Sequence, residues 1–440
     1  MRALFTILSL AISYSAIGQN IHRCGTVEAI AHREANYPYY SKAINQTFQD
    51  VKHIMSQKAA NTVDTIYHIP VVVHIVYNSP EENLSDNMVY AQIERLNKDY
   101  RRLNEDTADT RTEFEPVAAD AGIEFYLAEF DPQGNPTTGI TRKETTRSDF
   151  AIDFTGQGMD DMKQTSTGGV DAWDTDEYLN IWVCDLFGSA PLFPVLGFAY
   201  PPTTAPNWPA NSSAPNSDFE GVVVHYEVFG DGNPLASGEL SIADKGRTAV
   251  HEVGHYLGLR HIWGDAFFNG CSEDDGLDDT PNAAQSANQI CNFNNNTCTD
   301  SPVDFPDMIE NYMDYAEEEC MNLFTQDQVD IMRLMLKTAR TELADVIVES
   351  VNPSGVVDGI DVNEIRLFPN PNSGVFQLQV PSDLHLNTVS VFDVQGMLVH
   401  EQLLSNLSGQ IDLNLDLISG VYFVQLRFDE GIANKRFTVY

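Results

Sequence analysis

A chain of 440 residues with 64 acidic and 25 basic side chains, formal net charge −39, is too long for one ordinary domain and too negative to favour nucleic acid or anionic lipid. That charge reads as the solubility device of an exported protein, and also as a supply of hard oxygen ligands for divalent cations. Nowhere is there the run of roughly 18 apolar residues that a membrane-spanning helix needs, so no membrane span is expected.

Residues 1–18 carry one basic residue, Arg2, then the apolar run Ala3 to Ile12, and close on small residues, which is the pattern of a secretory signal peptide. Residues 19–62 are polar, with helix-compatible stretches such as "SKAINQTFQDVKHIM" and no strong core pattern of their own, and read as a propeptide. Lys58 lies in a stretch suited to activation cleavage.

From Ile69 the texture changes. "IPVVVHIVY" is a β-branched strand, followed by a helix in which Val89, Ile93, Leu96 and Tyr100 recur at helical spacing. Further strands are expected at "GIEFYLAEF", "YLNIWVCDL", "GFAYPP" and "GVVVHYEVF". A second helix over "ADKGRTAVHEVGHYLGL" is expected with Asp244 as its cap, and a third over "FTQDQVDIMRLMLKTARTEL" with Thr325 as its cap. This predicts an α+β catalytic domain, a mixed twisted sheet plus long helices, over residues 63–348. Cys271, Cys291, Cys298 and Cys320 fall in one acidic, Asn-rich stretch of it and are expected to form two disulfides; four cysteines permit three connectivities. Cys184 lies in an apolar strand and is expected to be a buried free thiol.

A linker follows at 349–363, and residues 364–440 consist of short alternating strands separated by Asn, Gly and Pro turns, a small all-β sandwich.

The chemistry concentrates in "HEVGHYLGLRH". Positions four apart share a helix face, so His251 and His255 aim two imidazoles at one point. Glu252, one residue on, stands beside a bound metal rather than on it, where it can take a proton from a water. Gly258 tolerates left-handed backbone angles, ends the helix and lets the chain turn so that His261 supplies a third nitrogen. Three imidazoles and an open position describe a catalytic zinc. In the later "ENYMDY", Met313 is expected as the floor beneath the zinc, and the Tyr315 hydroxyl can approach the developing oxyanion.

These blocks, with "GGVDAWDTDEYLNIWVCDLFG", "DDGLDDTP" and "CMNLFTQDQVDIM", resemble the metzincin zinc proteases, and among them the pappalysin family in its ulilysin-like branch, across residues 66 to 340. The resemblance implies a secreted zinc endopeptidase acting on proteins or peptides, with zinc on His251, His255 and His261, Glu252 as general base and acid, a Met-turn at Met313 and a stabilising Tyr315. It implies structural calcium after the third histidine, with Asp275 and Thr280 at ligand positions and Asp278 and Asp279 nearby. It also implies disulfides Cys271–Cys298 and Cys291–Cys320. "RCGT" resembles a cysteine-switch segment, which would make Cys24 the fourth zinc ligand of a latent precursor; otherwise Cys24 is an unpaired leader residue. Glu317, Glu318 and Glu319, after the Met-turn, suggest a pocket for a basic side chain following the cut, or else a solvated acidic loop.

The C-terminal blocks "IRLFPNPNSGVFQLQV", "VSVFDVQGMLV", "SGVYFVQL" and "KRFTVY" resemble the type A sorting domain of type IX secretion cargo, which implies the secretion machinery as a partner. An adhesive sandwich is the alternative there, and a non-proteolytic adhesin on a metzincin scaffold is the alternative for the whole chain.

Overall fold

The computed structural model describes residues 23–57, 65–152, 158–188, 194–203, 215–264, 270–348 and, with short breaks, 365–439. The signal-peptide pattern, Lys58 and the linker lie outside these residues. The chain divides into two compact units, Met1–Ser350 and Val351–Tyr440.

The first unit opens with two leader helices, α1 (Thr26–Asn36) and α2 (Tyr40–Gln57). Strand β1 (Thr65–Tyr77) is the spine of the sheet because its β-branched run is buried without a break from Val71 to Val76. After α3 (Asp86–Tyr100) come β2 (Ala118–Ala119), β3 (Ile123–Leu127), β4 (Ile140–Glu144), β5 (Leu179–Cys184), β6 (Gly197–Ala199) and β7 (Val222–His225). Helix α4 (Arg247–Tyr256), β8 (Phe324–Thr325), α5 (Gln326–Thr338) and β9 (Asp345–Val348) complete the unit. The main sheet is mixed, in the order β3-β1-β5-β7-β6. Strands β3 and β5 flank β1 in parallel, β4 pairs in parallel with the far half of β1, and β9 runs antiparallel to its first residues, Thr65 to His68. Strand β6 closes the order antiparallel to β7.

The helices meet the sheet as their periodicity requires. Val89, Ile93, Leu96 and Tyr100 of α3 are buried, and the Tyr100 hydroxyl donates to the Val250 carbonyl at 3.0 Å, which ties α3 to α4. Arg247, fully buried at the start of α4, is ion-paired with Asp99 (3.0 Å) and Asp106 (2.7 Å). Asp244 does not cap this helix. A 3₁₀ turn (Gly238–Ala243) and a left-handed Gly246 (φ +70°) intervene, so α4 begins three residues beyond Asp244. Thr325 does cap α5, in a reciprocal capping box with Gln328. Strands β4 and β9 lie outside the sequence expectation: β4, "ITRKE", is half polar and carries no alternating signature.

The leader has little core of its own because it borrows one: Phe48 and Val51 of α2 join the cluster built on β1, α3, α4 and α5. The disulfides form as Cys271–Cys298 and Cys291–Cys320, with Cα atoms 5.6 and 6.0 Å apart, and they brace a segment with no long helix or strand of its own. Cys184 is buried and free.

The second unit is a two-sheet antiparallel sandwich. Strands β10 (Arg366–Phe368), β11 (Val375–Val380), β12 (Leu386–Phe392), β13 (Leu398–Leu407), β14 (Gly409–Asn414), β15 (Gly420–Phe428) and β16 (Ile432–Val439) sort into β10-β11-β14 and β13-β12-β15-β16. Alternate residues such as Phe376, Leu378 and Val380 point into its core with Val389, Val391, Val424, Leu426 and Phe437.

Candidate active site

Helix α4 delivers His251 and His255 from one face, and its ending delivers His261. Gly258, at φ +93°, reverses the chain, and a Cβ there would lie 2.7 Å from Cε of Met335, so both backbone angle and packing call for glycine. The three Nε2 atoms converge to 3.0, 3.1 and 3.2 Å from one another. His251 Nδ1 donates to the Tyr312 carbonyl (2.6 Å) and His255 Nδ1 to the Leu259 carbonyl (2.9 Å), which leaves both Nε2 atoms as lone pairs. Burial, followed by the neighbouring His255 and His261, pushes the His251 pKa well below its ordinary value. Lone pairs this close repel unless a cation sits among them. Donors ~2.05 Å from a tetrahedral zinc stand ~3.3 Å apart, close to the separations found here. The Trp263 ring stacks on His261 at 4.4 Å and fixes its plane.

Cys24 closes the set. Its Sγ and the three imidazole nitrogens all lie within 4.8 Å of one another. Burial and the Glu252 carboxylate push the thiol well above its ordinary pKa; a cation among these donors reverses that and favours the thiolate.

Glu252 is fully buried, and burial raises its pKa to about 8. Its Oε2 accepts from Cys24 Sγ (3.4 Å) and from Thr26 Oγ1 (3.1 Å), while Oε1 is buried without a hydrogen bond among the described residues. The leader thus covers the glutamate as well as the metal position. It does so along a strand edge: Gly25 N donates to the Gly197 carbonyl (2.8 Å), and Ala199 N donates to Thr26 Oγ1 (3.0 Å). This edge is the strand expected at "GFAYPP", and an extended peptide can add to such an edge as a further strand.

Below the site, Met313 is fully buried, and a Cβ on Gly254 of α4 would meet its Sδ at 2.5 Å. Asn311 holds this turn: its Oδ1 accepts from Met313 N (2.9 Å), and its amide exchanges hydrogen bonds with Gln328 of α5. The Tyr315 ring lies 4.9 Å from that of His261, and its hydroxyl donates to the Cys24 carbonyl at 3.3 Å.

Three contacts had not been expected from the sequence. Arg23 is buried, donating to Glu318 Oε1 (3.0 Å) and to the Ala316 carbonyl (2.9 Å). Glu318 is fully buried and also accepts from Thr248 Oγ1 (2.9 Å) and Lys245 N (2.8 Å), whereas Glu319 is exposed. Thr26 is the third, on Glu252; its only sequence signal is its place two residues after Cys24.

In the loop after His261, Asp275 Oδ1 accepts from Thr280 Oγ1 (2.8 Å) and Leu277 N (3.0 Å). Its Oδ2 and Asp279 Oδ1 are buried without hydrogen bonds among the described residues, and burial raises the two carboxyls to about 8 and about 6. Asp278 and Asp279 instead frame Asp327 at the start of α5, through Asp278 N to Asp327 Oδ2 (3.2 Å) and Asp327 N to Asp279 Oδ2 (2.9 Å).

Residues 163–337 match the peptidase family described as pregnancy-associated plasma protein-A, and residues 366–440 match the secretion system C-terminal sorting domain. Mature mirolysin of Tannerella forsythia, solved with a cleaved peptide, is 42% identical; the match covers 63% of this chain and 95% of that one, with a TM-score of 0.54. A mutant promirolysin from the same organism is 38% identical over 73% of this chain and 97% of that one, with a TM-score of 0.60. Extracellular metalloprotease 1 of Coccidioides posadasii is 29% identical over 77% of this chain and 99% of its own length. No helix among the described residues is long and apolar enough to cross a membrane. A converging three-histidine site with a buried glutamate beside it, in a domain alike over nearly the whole of mirolysin, identifies the chain as a member of the pregnancy-associated plasma protein-A family of zinc metalloproteases, a secreted endopeptidase that carries a C-terminal secretion sorting domain.

Proposed function

We propose that the chain is made as a latent endopeptidase in which residues 1–18 are a signal peptide, residues 19–62 a propeptide, residues 63–348 the protease and residues 364–440 the sorting domain. The observation that carries this reading is the four-donor cluster of Cys24, His251, His255 and His261 with Glu252 beside it. His251, His255 and His261 hold the zinc; in the latent form Cys24 takes the fourth position. Zinc, when bound, acidifies a water and polarises the scissile carbonyl.

The protein's own groups do the rest. With the leader gone, the freed Glu252 carboxylate takes the proton of the attacking water and returns it to the leaving amine. The Tyr315 hydroxyl, freed from the Cys24 carbonyl, donates to the developing oxyanion, while Met313 supports the floor. The edge Gly197–Ala199 aligns the peptide, a reading supported by the leader's own hydrogen bonds to that edge at Gly197 and Ala199. Glu318 is the proposed pocket for a basic side chain after the cut, a reading supported by Arg23 lying on it beside Cys24. Asp275 and Thr280 are the proposed calcium ligands, supported by the orphaned carboxylate oxygens of Asp275 and Asp279.

One preparation tests these assignments: metal content and fluorogenic-peptide turnover of the full chain before and after limited proteolysis, for wild type and Glu252→Ala. We expect about one zinc per chain and bound calcium, turnover that appears on trimming, and a loss of about 10²- to 10⁴-fold or more in Glu252→Ala with zinc retained. Full turnover before trimming removes the latency assignment, and calcium-free protein removes that of Asp275 and Thr280.

A further inference from the structure

The leader makes a second insertion, away from the metal. Arg33 of α1 is 1% exposed, yet Nε, Nη1 and Nη2 of its guanidinium have no hydrogen bond among the described residues. Rings surround it instead: its Cζ lies 3.6 Å from the centre of Tyr200, 5.7 Å from Tyr40 and 6.0 Å from Phe219. A guanidinium stripped of water and given no fork of acceptors is held by ring faces and by the field of nearby carboxylates, here Asp160 and Glu220. Lys163 shares the Tyr200 ring at 4.1 Å and pairs with Asp160 at 3.6 Å; with the leader in place burial, and to a lesser degree Arg33 itself, pulls it down to about 7.

The cage outlasts the leader. Only Tyr40 belongs to the leader; Tyr200 and Phe219 are held by the protease. The Tyr200 hydroxyl donates to Asp160 Oδ1 (2.9 Å), and the Phe219 carbonyl accepts from Lys163 (2.7 Å). Glu220 is paired with Arg340 (2.7 Å), whose Nη2 also donates to the Tyr200 carbonyl (3.4 Å). Tyr200 directly follows Ala199, the last residue of the edge β6 on which Thr26 lies. The leader therefore places Arg23 on Glu318, Cys24 at the metal position and Arg33 in this cage.

We propose that, once the leader has left, the cage of Tyr200 and Phe219 is a second substrate subsite that takes an arginine side chain, distinct from the Glu318 pocket. This rests on the reading of the chain as a peptidase. Ring faces bind a guanidinium without demanding one hydrogen-bond geometry, so the subsite selects for cationic charge and planarity and contributes through substrate affinity.

The test uses the trimmed full chain and a peptide it cleaves, with arginine or its neutral isostere citrulline placed at each position in turn on either side of the cut. The expected result is a position, other than the one immediately after the cut, at which arginine raises kcat/KM by about 3- to 30-fold over citrulline, mainly through KM. That ratio should collapse toward one in Tyr200→Leu, and in Phe219→Leu should Tyr200→Leu fail to fold; because it is taken within each variant, it is independent of overall activity. Equal rates for arginine and citrulline at every such position in the wild-type enzyme overturn the subsite. So does an arginine preference that survives both substitutions. If the scan is flat while Arg33→Ala weakens inhibition by a synthetic leader peptide of residues 23–57, the cage serves latency alone and the proposal fails. Absence of cleavage of any peptide by zinc-loaded trimmed enzyme overturns the peptidase reading itself, a result distinct from a flat scan.

Discussion

Glu318 shows how much a single carboxylate can determine. Fully buried, it is balanced by Arg23, Thr248 and the Lys245 amide, and departure of the leader would take away the one full positive charge among these partners. A buried carboxylate without its counter-charge is costly, which makes a lysine or arginine of the substrate the expected occupant of the place Arg23 holds. Glu318→Gln is expected to lower kcat/KM about 10- to 100-fold for peptides with a basic residue after the cut and to have little effect on others. A cleavage library in which Glu318→Gln keeps the arginine preference of the wild type would sink the assignment. The three consecutive glutamates were visible in the sequence, but which of them turns inward was not. That depends on Thr248 and Lys245, seventy or more residues away.

At the scale of elements, α4 was the most legible because its chemistry and its geometry share one period. The four-residue spacing of His251 and His255 and the stop at Gly258 require only local rules. The start of α4 differs from the expectation because the capping rule sees a polar side chain, whereas Asp244 closes the preceding 3₁₀ turn and a left-handed Gly246 stands at the cap. The leader contacts were illegible for a different reason. Thr26 and Arg33 carry no periodic signal, and their partners Glu252 and Tyr200 are far along the sequence. Strand β1 hides a further device. His74, fully buried at its centre, lies between Thr141 Oγ1 (2.7 Å) and Asn180 Oδ1 (2.9 Å), and burial lowers its pKa to about 4. The unfolded chain takes up this proton near pH 6.5 and the folded chain only near 4, so the stability His74 contributes is present above about 6.5 and lost as pH falls toward 4. Over that window the loss amounts to about 3 kcal/mol. His74→Gln should therefore flatten the fall in melting temperature between pH 7 and 4.5; parallel curves for variant and wild type would refute the role.

The whole molecule combines a protease with an address. Each of the two units has its own hydrophobic cluster, which is why the change in texture after residue 350 could be read from strand alternation and turn residues alone. A chain ending at residue 350 is expected to become active on trimming, within about twofold of the trimmed full chain, and to be retained by cells that export the full chain. Export of the shortened chain would deny the sorting domain its role. Neither the site nor the large acidic excess distinguishes secretion from mere solubility; the match of residues 366–440 does.

Strand β9 gives this arrangement its tolerance. Because Asp345 to Val348 are hydrogen-bonded to Thr65 to His68, the first and last strands of the protease are fastened to each other. Removing the leader anywhere before Thr65, or the sorting domain anywhere after Val348, cuts outside that clasp. Cuts at such places would leave β1 and β9 paired, the ends of the protease already tied.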